Sequence, residues 1–203
     1  MPYSVYSSQT PATLDVNAID SDVTLGMQWY SESDGVVRGA RFYLGNRNFD
    51  THQVIGALYA IGNTTPLAQK SYTVTSANAI GWVTITFDQS IIVTRNQTYV
   101  IAMWFPGQQT LPGGKAHYVA TTGFFANGID NPPLHAFKND TIFNYKFNNV
   151  YSAGSSLTYP TNTNGASYFV DVVFDYMTKM KVRAGGAWVE HPAKTRVGSA
   201  WQL

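Results

Sequence analysis

Cysteine is absent from all 203 positions, which excludes a disulfide scaffold, a thiolate zinc site, an iron–sulfur cluster and a cysteine nucleophile together. Stability has to come from packing. Charge is scarce as well: 12% of the residues are charged, and 13 basic side chains nearly cancel 12 acidic ones, about half the usual charged share of a soluble chain. Such a surface is no polyelectrolyte, so neither nucleic acid nor anionic lipid is an expected partner. Long apolar runs are also missing. The longest, Tyr99-Val100-Ile101-Ala102-Met103-Trp104-Phe105, falls far below the ~20 residues that span a bilayer, and no membrane is expected as a partner.

Signatures of catalysis are equally thin. The four histidines, His52, His117, His135 and His191, contain no pair at the i, i+4 spacing of a helical zinc motif. No Gly-x-Ser-x-Gly elbow occurs, and the stretch 107–115 lacks the glycine spacing and the hydroxyl after lysine of a phosphate loop. Glutamate stands only at Glu32 and Glu190, and the remaining carboxylates are aspartates, several of them (Asp34, Asp50, Asp130, Asp140) in turn contexts. The expectation is a protein that is not an enzyme and needs no cofactor. One loop, with Asp15, Asn17, Asp20 and Asp22, reads first as an Asx-rich turn before Val23. Its second reading is a set of hard oxygen ligands for calcium, without the glycine and closing glutamate of a helical calcium loop. The first ten residues carry neither a basic n-region nor an apolar h-region, so export by the general secretory route is not expected.

What is present is β structure. With 44% hydrophobic and 14% aromatic residues the chain can bury one core of ordinary domain size. Its apolar residues alternate with period 2, and no stripe of period 3.6 lasts three turns. Strands are predicted over 23–30, 36–44, 54–61, 68–75, 81–87, 99–105, 116–121 and 168–176, punctuated by turns such as Ser33-Asp34-Gly35, Gly62-Asn63 and Pro112-Gly113-Gly114. Both faces of 99–105 are apolar, as in a central strand covered on both sides. In 168–176 one face holds Tyr168, Val170, Val172, Phe174 and Tyr176, and the other holds Phe169, Asp171, Val173 and Asp175, which predicts a partly solvated second face. The fold expected is all-β: a two-sheet sandwich with jelly-roll or Greek-key connections over residues 1–178.

Between about 122 and 167 the alternation gives way to Asn, Gly, Pro and aromatics. An irregular stretch of this length on a rigid sandwich is either a binding face or, through its rings, a plug for one end. Sugar recognition suits these residue types, because rings stack on pyranoses while amides and carboxylates bond the hydroxyls. The candidates for a glycan face are Trp104, His117, Tyr118, Phe124, Phe125, Asn127 and Asp130. Trp29, Trp82 and Trp104 lie within strand patterns, which suits core positions.

Residues 179–203 differ from the rest, carrying a net charge of +4 on a body of −3. Within them Lys181-Val182-Arg183-Ala184-Gly185-Gly186-Ala187-Trp188 recurs thirteen residues later as Lys194-Thr195-Arg196-Val197-Gly198-Ser199-Ala200-Trp201. Two small hairpins are predicted, too short to stand alone. The arm is either a solvated ribbon or a docking element acting through Arg183, Trp188, Arg196 and Trp201.

Several segments taken together, Leu25-Gly26-Met27-Gln28-Trp29, Gly39-Ala40-Arg41-Phe42-Tyr43, Gly81-Trp82-Val83, Asn131-Pro132-Pro133-Leu134 and Val170-Asp171-Val172-Val173-Phe174, resemble a bacterial extracellular family. It is a domain-of-unknown-function family of β-sandwiches appended to secreted, surface and polysaccharide-active proteins. The resemblance runs from about residue 10 to 176 and implies a binding or spacer module with no active site to carry over. Phe169 departs from the tryptophan common there, which implies an altered surface contact. The arm is similar to the C-terminal ends of minor tail and other structural proteins of actinobacterial tailed phages. Together these resemblances imply a virion protein: a minor tail or adhesion component with a host-glycan face, docked on other virion proteins by its arm. A head decoration protein and a secreted carbohydrate-binding module or glycan-hydrolase fragment are the alternatives. The expected location is the virion surface, or else the extracellular space, and the expected state is a homo-oligomer or assembly subunit.

Overall fold

The structure is a computed structural model that describes residues 2–14, 17–19, 21–46, 51–107, 116–140, 147–177, 179–184, 187–192, 195–197 and 200–202; for 17–19, 116–117 and everything from 179 on, the description is of the backbone. In chain order the strands are β1 (Asn17–Ile19), β2 (Val23–Ser31), β3 (Gly35–Leu44), β4 (His52–Ala60), β5 (Ala68–Val74), β6 (Gly81–Val93), β7 (Tyr99–Phe105), β8 (Ala116–Tyr118) and β9 (Thr121–Thr122). A 3-10 turn at Phe124–Ala126 leads to β10 (Ile129–Asn131), β11 (Leu134–Ala136), β12 (Asn149–Ala153), β13 (Asn162–Asn164), β14 (Ala166–Ser167) and β15 (Val170–Tyr176). Four more strands follow: β16 (Lys179–Ala184), β17 (Ala187–Pro192), β18 (Thr195–Val197) and β19 (Ala200–Gln202).

Two antiparallel sheets face each other. The larger has the order β10-β11-β2-β7-β4-β5, with β12 pairing β2 beyond β11 and β13 on the outside of β12. The smaller is β15-β3-β6. Short pairs β1–β8 and β9–β14 lie apart from both sheets in hydrogen bonding. The all-β sandwich expected from the alternation is what forms.

The core follows from that alternation. Val23, Leu25, Met27 and Trp29 of β2 and Tyr99, Ile101, Met103 and Phe105 of β7 point between the sheets, against Phe42, Ile85, Val172 and Phe174. Each such side chain fully buried is worth about 1.5–3 kcal/mol. The other face of β7 is covered too: Val100 and Ala102 join Ala57, Tyr59, Val150 and Tyr159 in a second apolar cluster. Tyr159 meets Tyr59 edge-on at 5.3 Å, and its hydroxyl accepts a hydrogen bond from Gly62 N–H at 2.9 Å. The chain passing over the large sheet is thereby pinned to it. Gly35 marks a tight contact, since a Cβ there would lie 2.1 Å from Phe174 Cζ.

Four expectations need correction. β6 does not stop at Phe87 but runs to Val93, because the register against β3 shifts between Val37 and Gly39 and lets Asp88-Gln89-Ser90 bulge without ending the strand. The stretch 116–121 is divided into β8 and β9. Residues 122–167 are not merely loops, since β11 and β12 both add to β2. The final strand begins at Val170, because Phe169 has φ +50; its second face is partly solvated, as expected, at Val173 and Asp175, but Asp171 and Phe169 on that face are wholly buried. Phe169 therefore presents no ring at the surface.

Candidate functional site

The burial of Asp171 has a specific cause. The segment before residue 10 folds back along β15, where Tyr3 and Phe174 exchange backbone hydrogen bonds. The Asp171 carboxylate then accepts from the N–H groups of Val5 (2.9 Å), Tyr6 (3.1 Å) and Val172 (2.7 Å). Arg41, opposite it on β3, adds Nε at 2.9 Å and Nη2 at 2.7 Å, and Nη2 also donates to the Tyr6 carbonyl. Burial raises the Asp171 carboxyl above its ordinary range, with Arg41 opposing. The Arg41 guanidinium lies 4.1 Å from the Trp82 ring centroid.

Around this pair the rings of Tyr6, Trp82, Phe124, Phe125 and Phe169 close on one another. Tyr6 stacks on Phe169 at 5.2 Å, Phe124 meets Phe169 edge-on at 5.1 Å, and Tyr43 meets Trp82 edge-on at 5.5 Å. The Tyr6 hydroxyl shares a 2.7 Å hydrogen bond with Ser167, and burial carries its pKa well above the ordinary value. Sequence reasoning placed neither Tyr6 nor Arg41 here, and no local spacing could have done so, since the partners lie 130 or more residues apart.

The seven glycan-face candidates do not share one surroundings. Trp104 is buried on the outer side of β7, its Nε1 donating to Gly154 O at 3.1 Å. Phe125 is buried in the ring cluster and Phe124 half-buried in it. Tyr118, half-buried, meets Tyr168 edge-on at 5.5 Å, and burial raises its hydroxyl pKa. Asn127 and Asp130 are exposed. His117 is opposite Ala18 in the β1–β8 pair, and its side chain lies outside the described set. Among these candidates the ring contact found between described residues is that of Phe124 with Phe125, at 5.4 Å. Of the calcium-loop residues, Asp15 and Asp20 lie outside the described residues and Asn17 is described by its backbone. Asp22 is buried, its carboxylate accepting from Gly107 N–H. Among the described residues no group of three or more acidic or histidine side chains is placed to hold a metal ion.

A different surface gathers exposed chemistry, at the turn between β2 and β3. Asp130 sits on the Nδ1 side of His135, and Glu32 Oε2 lies 3.5 Å from its Nε2; the two carboxylates are 81% and 52% exposed. The imidazole stacks on Tyr30 at 4.7 Å, which holds the β10–β11 hairpin on β2. Asn131 Nδ2 donates to Ser4 O at 2.9 Å, joining that hairpin to the N-terminal segment. Beside them Tyr3 and Tyr176, 38% and 45% exposed, meet edge-on at 4.9 Å. Asp34 stands at the same turn, its carboxylate accepting from Arg95 N–H at 2.9 Å. The surface is acidic and aromatic, and the chain leaves it at Tyr176 to begin the arm.

In the arm, β16 pairs β17 and β18 pairs β19, with Arg183 opposite Trp188 and Arg196 opposite Trp201. The predicted hairpins are therefore present as two antiparallel ribbons, and neither joins a sheet of the sandwich. The side chains of these four residues lie outside the described set.

A search of curated proteins finds no match to this chain. A family model, that of a domain of unknown function (DUF4082), matches residues 8–170 and thus leaves the arm outside the match. With four-fifths of its length covered in this way, the chain belongs to the DUF4082 family.

Proposed function

We propose that this protein is a non-catalytic structural and adhesion component of a phage particle, a minor tail component by preference, in which the sandwich is displayed and the arm docks it on a neighbouring virion protein. The observation that carries the reading is the repeated register of the arm. Two ribbons thirteen residues apart each set an arginine directly opposite a tryptophan, in a basic segment beyond the family match. Tryptophan and arginine are the residues most enriched where binding energy concentrates at interfaces. Isolated two-stranded ribbons are marginally stable in water, so an arm of this kind gains from a surface to lie on. A host-envelope glycan is the proposed outward ligand, met by exposed residues near the 3-10 turn such as Asn127. Multiple copies on one particle would make weak single-site affinity sufficient.

The test is localisation. Particles purified from a lysate, analysed by quantitative mass spectrometry and gold-labelled antibody, should carry this chain on the tail. Dense label over the head would make it a capsid decoration protein. Absence from particles, with binding to cell-wall glycan, would overturn the virion reading in favour of a secreted carbohydrate-binding module.

A further inference from the structure

We infer that the acidic and aromatic surface at the β2–β3 turn is the receptor for the basic arm of a second copy of this chain, so that two copies exchange arms reciprocally. The inference deepens the proposed function, on which its biological setting rests, by naming the neighbour. Three observations lead to it. Glu32 and Asp130 stand exposed there, together with the edge-on pair Tyr3 and Tyr176, both large rings left open to solvent. The arm carries a net charge of +4 against −3 on the body, the complement of that surface. Finally, the arm starts next to this surface, at Lys179, three residues after Tyr176.

That last point selects the geometry. With the arm rooted beside the receptor, a two-fold axis passing near Tyr176 brings the partner's receptor within reach of each arm. The result is closed and self-complementary, the commonest form of soluble assembly. Its ribbons, which join no strand of their own sandwich, then gain the packing surface that two-stranded sheets need.

Charge reversal tests the idea in the full chain. Wild-type protein, followed by light scattering across a range of concentrations, should have the mass of a dimer and fall to that of a monomer on dilution or in high salt. The E32K/D130K chain, with a basic receptor, and the K181E/R183E/R196E chain, whose arm then carries a net charge of −2 in place of +4, should each be monomeric at concentrations where the wild type is dimeric. Mixed in equal amounts, the two should restore the dimer mass, because each arm then meets a receptor of opposite sign. Circular dichroism and melting establish that each variant is folded; where one is not, the milder E32Q/D130N or K181Q/R183Q/R196Q replaces it in the single-variant measurement, in which loss of the dimer is the result read. A wild type monomeric at every concentration, variants that dimerise like the wild type, or a mixture that stays monomeric would each overturn the inference. Particle association is scored separately: a monomer found on particles refutes arm exchange alone, and a dimer never found on particles refutes the virion reading alone.

Discussion

Replacing Asp171 by Asn changes one charge at nearly constant shape, at the point where three distant parts of the chain meet. Arg41, whose side chain is 16% exposed, would keep its charge and lose its counter-ion. Asn offers one acceptor oxygen where Asp offers two, so the amide N–H₂ must face donors on one side. Either the N–H of Tyr6 and the two Arg41 contacts are lost, or those of Val5 and Val172 are. An orphaned buried donor costs about 1–3 kcal/mol, and breaking a buried ion pair from one side costs about 3–5 kcal/mol. These losses overlap, so the expected destabilisation is about 3–5 kcal/mol, a large part of the ~5–15 kcal/mol of a typical domain. Urea unfolding should show it as a lowered midpoint at unchanged slope. A loss below about 1 kcal/mol for Asp171→Asn would refute this account of the N-terminal segment.

Phe125→Ala should cost about 3–5 kcal/mol, as expected for a buried ring, while Asn127→Ala, two residues on and exposed, should stay within about 0.5 kcal/mol; equal melting temperatures would contradict the plug. Gly35→Ala should destabilise by about 1–3 kcal/mol or more, through the clash with Phe174, and a calorimetric melt matching wild type would show that the ring gives way freely. The Tyr59 and Tyr168 hydroxyls are pushed up to about 12 by burial, from an ordinary value of 10.0. Folded protein then holds these protons more tightly than the unfolded chain, so the stability they contribute is intact below about pH 10 and lost as pH rises toward 12. Phenolate absorbance should lag in native protein relative to protein in denaturant; coincident titrations would be the contrary result.

Much of the architecture was legible because alternation is local. In Tyr99–Phe105 every residue is apolar, and β7 is indeed buried on both sides at the centre of the large sheet. The arm repeat likewise announced its two ribbons through Gly-Gly and Gly-Ser between matched segments. What could not be read was whatever depends on a distant partner. Asp171 looked half-solvated because Arg41 and the Val5–Tyr6 amides that bury it are far away in sequence. Trp104 offered a ring suited to a sugar, yet the carbonyl of Gly154 takes its N–H. His135 carried no signal of its own in the sequence, because its setting between Asp130 and Glu32 depends on how β11 is laid against β2.

The pairing of Tyr3 with Phe174 carries a mechanical consequence. Because the two run antiparallel, the chain leading to Tyr3 and the chain following Phe174 depart in the same direction. Tension between them would peel the contact open one hydrogen bond at a time, with no shearing of strands along their length. The same layout sets the two flanking chains only about one strand spacing, ~4.8 Å, apart. A load applied through both flanking chains would therefore meet the sandwich as a side branch that adds almost nothing to the contour length between the two points of attachment.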